Sequence, residues 1–244
     1  MRISAASRGG VAESASSKLY TGAPDIAAHI CAAIRRARAV EQPWLHWRLN
    51  GVVPAALLRE LTALPLSPAH GSGPSGRREY RNAARLYFGA ANTARFPVMR
   101  RVAEALQSAA VVGAVEDSFG APIDRTYLRV EYAVDTDGFW LEPHTDIGVK
   151  KFTCFLYVDG AGDLGTDIYA DVQTLAYRMP FAPNAALAFV PGANTWHGFA
   201  PRSIAGVRRS LIINYVGAEW RAREQLCFPE RPVCAALTGL RQPT

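Results

Sequence analysis

The sequence predicts a mainly β protein with supporting helices, arranged as helices packed on a β-sandwich or jelly roll. Three observations lead there. Apolar residues recur at helical spacing only in the first half of the chain, as far as Phe119. From Tyr127 the period falls to two, in short runs separated by turns rich in Gly, Pro and Asp. Helices followed by short strands, with no alternation of the two, argue against a βαβ fold.

Composition sets the outer bounds. A chain of 244 residues, 49% hydrophobic and 20% charged, is large enough for one domain with a substantial core, or a core plus a helical extension. No apolar run approaches the roughly 20 residues needed to cross a bilayer. The formal net charge of +6 invites a nucleic-acid reading, but its distribution opposes one. Residues 1–40 carry six basic and two acidic side chains, so +4 lies there and the other 204 residues hold only +2. Four cysteines (Cys31, Cys154, Cys227, Cys234) are scattered without a CxxC pair. Cys227 and Cys234 are near enough in sequence to bridge, but reduced thiols in the cytoplasm are the expectation.

The elements follow in order. Residues 1–20, rich in Ser, Ala and Gly with no apolar signal core, read as a disordered leader. Residues 25–40 carry Ile26, Ile30, Ala33 and Ile34 on one helical face, with Asp25 placed as N-cap behind Pro24 and His29 at the core edge. Pro43 ends that helix, residues 44–49 suit a strand, and Pro54 opens a second helix. Residues 67–76, which include His70, form a Pro/Gly/Ser loop, followed by the arginine-dense run 77–82. That run is either a solvated face or a clamp for a carboxylate or phosphate. Residues 96–119 repeat apolar positions in two helical segments closed by Gly120. Strands are expected at 127–133, 152–158, 167–170, 185–190 and 210–216. No repeat and no glycine-rich phosphate loop is present, so a nucleotide cofactor is not indicated.

The chemistry gathers around His144-Thr145-Asp146. In extended chain the side chains of i and i+2 leave the same face, so His144 and Asp146 can reach one ion together. His197 follows 51 residues after Asp146, between Trp196 and Gly198 at the end of an apolar run. Two imidazoles and one carboxylate on one side of an ion make the facial triad of non-haem iron(II) sites. In residues 206–215, alternation puts Arg208, Ser210 and Ile212 on one face and Arg209 and Leu211 on the other. If the first face points inward, Arg208 is a buried cation that needs an anion, and a dicarboxylate with Ser210 as an added hydroxyl contact satisfies it. Otherwise both arginines lie at an exposed strand start. Thr153, Phe155 and Tyr157 share a face, so Tyr157 is placed to direct its phenol at the same anion. Phe139, Trp140, Trp196 and Phe199 line an apolar pocket or belong to the core, with core favoured. Arg77, Arg78, Arg81, Arg129 and Glu131 are candidate polar contacts for a charged small molecule.

These motifs together resemble the 2-oxoglutarate/iron(II)-dependent oxygenases, in particular the prolyl-hydroxylase and phytanoyl-CoA-hydroxylase-like branches. The resemblance runs from about residue 96 to 216. It rests on HxD at His144 and Asp146, the distal His197, and GxRxS at Gly206-Val207-Arg208-Arg209-Ser210. The segment TCFLYV and the pattern from Pro183 to Gly198 add to it. The resemblance implies a double-stranded β-helix (jelly roll, cupin-like) whose N-terminal helices support the major sheet. It implies iron(II) held by His144, Asp146 and His197, with 2-oxoglutarate contacted by Arg208, Tyr157, Ser210 and Tyr132. It implies O2 as co-reactant, ascorbate as an in-vitro stimulant, and succinate and CO2 as products. An aspartate at position 146, where family halogenases carry a small residue, implies hydroxylation; desaturation and ring formation use the same ligands. The domain reading that goes with it is one oxygenase domain over 21–244. Within it, 21–120 supply helical support and substrate loops, 121–217 the β-helix core, and 218–244 a C-terminal extension. A small-molecule substrate is expected, with no nucleic-acid or membrane partner; a protein side chain is the alternative. A cupin-like enzyme without 2-oxoglutarate, or a silent binding module, are the readings from other classes.

Overall fold

The computed structural model of the protein describes residues 22–66, 76 and 85–235. The N-terminal leader, the loop bearing His70 and the cluster from Arg77 to Arg81 lie outside the described residues. Helix α1 (Ala23–Arg35) buries Ile26, Ala27, Ile30, Ala33 and Ile34, the face expected from their spacing. Its cap is Gly22, not Asp25. Pro24 is preset for the first turn, and Asp25 sits one place further in, where the helix dipole favours a carboxylate. The helix also stops short of residue 40, because strand β1 (Arg38–Val40) pairs antiparallel with β2 (His46–Asn50). Ladder bonds to a neighbouring strand outweigh local helix propensity there.

Helices α2 (Ala55–Thr62), α3 (Ala90–Arg95), α4 (Pro97–Gln107) and α5 (Ala109–Phe119) follow. The break between the last two is Ser108, whose hydroxyl accepts from the Val111 N–H at 3.4 Å and caps α5. Gly120 ends α5 at φ +64, a left-handed conformation that glycine adopts without strain.

The remaining strands are β3 (Arg85–Tyr87), β4 (Tyr127–Thr136), β5 (Leu141–His144), β6 (Lys150–Asp159), β7 (Asp167–Tyr169), β8 (Leu175–Arg178), β9 (Ala185–Phe189), β10 (His197–Phe199) and β11 (Val207–Val216). They form a seven-stranded sheet in the order β1-β2-β9-β6-β11-β4-β3 and a four-stranded sheet in the order β5-β10-β7-β8. All pairings in both sheets are antiparallel. The last strand in sequence, β11, sits at the centre of the major sheet between β6 and β4.

Alternation divides the major sheet into two unlike faces. Val130, Tyr132, Val134, Cys154, Leu156, Leu211, Ile213 and Tyr215 belong with the helices to one apolar core. Each fully buried Leu or Ile side chain there contributes about 1.5–3 kcal/mol. The opposite face carries Arg129, Glu131, Asp135, Thr153, Arg208, Ser210 and Asn214, all buried as well. Buried polar groups are costly unless paired, so this face is where function is to be sought. The minor sheet covers it through two small apolar clusters, one with Ile168, Leu187 and Phe189, the other with Phe139, Leu164 and Phe199. These memberships place Phe139 and Phe199 in the core, as favoured from sequence. Asp167, fully buried on β7, accepts from Arg178 Nε at 2.6 Å, Arg202 Nη1 at 2.7 Å and the Ala200 N–H at 2.6 Å. One carboxylate thereby ties β7, β8 and the segment after β10. All four cysteines are free thiols, three of them buried. No described helix is long and apolar enough to cross a membrane.

Candidate metal centre

His144 ends β5 and His197 opens β10, and the two residues stand directly opposite each other in the ladder, their rings 4.4 Å apart. Gly198 permits this approach: a Cβ there would lie 2.8 Å from the Leu141 carbonyl oxygen. Asp146 follows in the turn that leads to β6. One ligand atom from each of His144, Asp146 and His197 lies within 4.8 Å of the other two, close enough to hold one ion.

The imidazoles are preset as ligands. Nδ1 of His144 lies 2.9 Å from the Glu142 carbonyl, and Nδ1 of His197 lies 2.9 Å from the Thr195 carbonyl. A carbonyl only accepts, so each Nδ1 carries the proton and each Nε2 presents its lone pair. His197 is packed by the rings of Phe189 and Phe155. Burial, reinforced by the neighbouring His144, pushes its pKa down to about 3, which keeps the imidazole neutral and able to ligate. Asp146 behaves oppositely. Burial alone raises a carboxyl pKa, but the charge of Lys150 and hydrogen bonds from Lys150 and Thr153 hold this one well below the usual range. Its side chain is 3% exposed; Oδ1 pairs with the Lys150 ammonium and Oδ2 accepts from the Thr153 hydroxyl at 2.6 Å.

A second group lies further along the same face. Arg208, opposite Asp135 on β4, donates from Nη1 to that carboxylate at 2.6 Å and from Nε to the Leu164 carbonyl at 2.8 Å. Asp135 also faces Arg85 Nη2 at 3.3 Å, so two guanidinium groups flank one carboxylate. Tyr157 stands opposite Ser210, with its hydroxyl 3.0 Å from both the hydroxyl and the N–H of Thr166. Burial pushes the Tyr157 phenol above its ordinary pKa, so it stays a neutral donor. Ser210 Oγ is buried and has no hydrogen-bond partner among the described residues. An orphaned hydroxyl beside a buried cation fits an anionic group with several acceptor oxygens.

Tyr132, grouped with these contacts on the family resemblance, does not join them. It lies opposite Leu211, one residue out of phase with the inward row, so its side chain enters the helical core. There its hydroxyl donates to the Leu61 carbonyl at 2.9 Å. Arg209 is also out of phase with Arg208 and pairs with Asp159 at 2.5 Å. Arg129 and Glu131, candidate substrate contacts from sequence, are buried and bonded to each other at 2.6 Å. Asp135, Lys150, Thr153 and Asn214 were not anticipated as site residues. The trace that marks the first is in β4, where Arg129, Glu131 and Asp135 interrupt an apolar strand at spacings of two and four, which share one face.

Among solved structures, a Pseudomonas putida prolyl 4-hydroxylase superposes with a TM-score of 0.52 at 13% identity, over 79% of this chain and 98% of that one. A Phytophthora capsici prolyl 4-hydroxylase gives 0.52 at 15% identity, over 87% and 70%. The fold of this chain is similar to that of these prolyl hydroxylases. A Trichoplax adhaerens prolyl hydroxylase, in complex with a peptide fragment of the hypoxia inducible factor oxygen degradation domain, gives 0.52 at 9% identity, over 80% and 90%. No family model and no curated protein matches the sequence. The jelly roll with supporting helices expected from the sequence is thus the observed architecture.

Proposed function

We propose that this chain is an iron(II)- and 2-oxoglutarate-dependent oxygenase that hydroxylates a small metabolite or natural-product intermediate at an unactivated C–H bond. The observation that carries the reading is the triad itself: two imidazoles with Nε2 turned to a common point and one ionised carboxylate, on a prolyl-hydroxylase fold. An N,N,O donor set of this kind suits iron(II) and leaves coordination positions for cosubstrate. When bound, the metal and 2-oxoglutarate supply the oxidising chemistry, with release of succinate and CO2.

The protein's own part is positioning. His144 and His197 hold their tautomers through backbone carbonyls, so no rearrangement precedes metal binding. Arg208 and Ser210 offer a cation and a hydroxyl to the distal carboxylate of the cosubstrate, and Tyr157 joins them by turning its O–H away from Thr166. Phe155 and Phe189 pack against His197 and keep water from that side of the centre.

A peptidyl side chain is the second reading, favoured by the Trichoplax adhaerens neighbour and its bound peptide. The test uses purified protein with iron(II), 2-oxoglutarate and ascorbate. Expected are a visible charge-transfer band under anaerobic conditions, succinate formation in air, and loss of both in His144→Ala. A metal-loaded protein with no band and no succinate would instead be a cupin-like enzyme that does not use 2-oxoglutarate. A protein that takes up no iron, nickel or zinc after reconstitution would be a binding module.

A further inference from the structure

Three residues from three adjacent strands form a row that ends on the carboxylate of the triad. Arg129 on β4 stands opposite Asn214 on β11, and Asn214 stands opposite Thr153 on β6. Their relative exposures are 3%, 0% and 0%, so water does not compete for these bonds. Arg129 Nη1 donates to Asn214 Oδ1 at 3.0 Å, Asn214 Nδ2 donates to Thr153 Oγ1 at 2.9 Å, and Thr153 Oγ1 donates to Asp146 Oδ2 at 2.6 Å.

The direction of the row is set by its first member. A guanidinium has donors only, so the Asn214 oxygen must face Arg129 and its amide NH2 must face Thr153. The threonine hydroxyl then already accepts from Asn214, and its single proton is left for Asp146. Arg129 is itself immobilised, donating through Nε to Gln225 at 2.9 Å and through Nη2 to Glu131 at 2.6 Å. The rings of Tyr87 and Trp220 lie 4.8 and 5.0 Å from its guanidinium carbon.

We propose that Asn214 is a positioning residue for the metal centre, which dictates the proton direction of Thr153 and so the orientation of the Asp146 carboxylate. This rests on the iron-centre reading above. With Oδ2 engaged by a donated proton, Asp146 meets the ion through Oδ1 alone, the oxygen it shares with the Lys150 ammonium. Asn214 touches neither metal nor cosubstrate; it acts through Thr153.

Asn214→Asp is the decisive variant, because it keeps the shape and reverses the polarity. A carboxylate at 214 accepts from Arg129 and also takes the Thr153 proton, turning the threonine lone pairs toward Asp146. By charge alone, an added carboxylate near a dication tightens binding. Loss of the row weakens it by about 10- to 100-fold, the usual range for removal of a group that orients a ligand. The two effects have opposite signs.

The measurement is the dissociation constant of cobalt(II) from the 244-residue chain, by calorimetry. The anaerobic iron(II)–2-oxoglutarate band at saturating metal is the spectroscopic check. Expected are weaker metal binding and a shifted band in N214D and in Thr153→Val, with near wild-type values in Thr153→Ser. Binding in N214D as tight as wild type, or tighter, overturns the proposal. If N214D does not fold, T153V binding cobalt(II) as tightly as T153S overturns it equally. A wild-type protein that binds no divalent metal fells the iron-centre reading together with this one, whereas failure of the variants alone fells only this one.

Discussion

Replacing Arg208 and Arg209 one at a time by methionine separates the two faces of β11 and tests where the cosubstrate is anchored. Arg208 is 8% exposed in its side chain, its partner Asp135 2%. Among the described residues, removing the guanidinium leaves the Leu164 carbonyl unbonded and leaves Asp135 with Arg85 alone, at 3.3 Å. Breaking a buried ion pair costs about 3–5 kcal/mol, against a typical stability of about 5–15 kcal/mol. R208M should therefore fold with a clearly lower denaturation midpoint. Loss of a buried charged contact to the ligand costs about 2–5 kcal/mol, or roughly 30- to 4,000-fold in 2-oxoglutarate affinity. Arg209 and Asp159 are 20% and 36% exposed, and a pair of that kind contributes about 0–1 kcal/mol, at most about fivefold on any equilibrium. The assay is an anaerobic 2-oxoglutarate titration of the iron(II) protein, followed by its charge-transfer band. Arg208→Lys, which keeps the charge but not the fork, should fall between wild type and R208M. A larger affinity loss in R209M than in R208M would refute the assignment of the inward face.

Three further perturbations probe other parts of the argument. Ser210→Ala removes a hydroxyl with no partner among the described residues, so stability in the absence of ligand should change by less than about 0.5 kcal/mol while 2-oxoglutarate affinity drops about 2- to 10-fold. Equal losses in both would mean the hydroxyl is bonded within the protein. Tyr132→Phe removes one of the bonds to the Leu61 carbonyl, which still accepts from the Leu64 N–H at 3.3 Å, at a cost of about 0.5–1.5 kcal/mol read in chemical denaturation, with 2-oxoglutarate affinity unchanged. A change in affinity would return Tyr132 to the site. His46 is fully buried, and burial, with a smaller push from Arg48, lowers its pKa below 6.5. The unfolded chain then binds the extra proton first, so this stabilisation is complete above the ordinary imidazole pKa and is lost as pH falls below it. Its share of the slope reaches about 1.4 kcal/mol per pH unit, and His46→Asn should remove that share between pH 7 and 5. An unchanged slope would count against it.

The sequence is legible where a pattern is long enough to repeat. The ten-residue strands β4, β6 and β11 and the helices on either side of Ser108 show their periods plainly, and His144 and Asp146 stand out because i and i+2 share a face. Strands β3, β5, β8 and β10 have three or four residues, too few to show alternation, and two of them carry His144 and His197. They are ordered by their partners, not by local propensity. Tyr132 shows the limit of motif matching: a shift of one residue along a strand moves a side chain from the site to the opposite core. Asn214 has no local signal, since it acquires its role from a partner 85 residues distant, and the charge at Asp135 marks a site residue without showing its partner 73 residues on.

The central position of the last strand bears on the order in which this protein comes into being. Until β11 docks, β4 and β6 have no shared neighbour, and each presents about ten residues of unpaired edge. Such edges invite pairing with other chains, and sheets closed by distant segments form slowly. The bond from Asn214 that fixes Thr153 beside Asp146 and the pairing of Arg208 with Asp135 both wait on this one insertion. On the proposed function, iron or 2-oxoglutarate therefore traps the folded state but has nothing complete to grip before it. Ribosomal synthesis must pass residue 216 before either half of the site is finished.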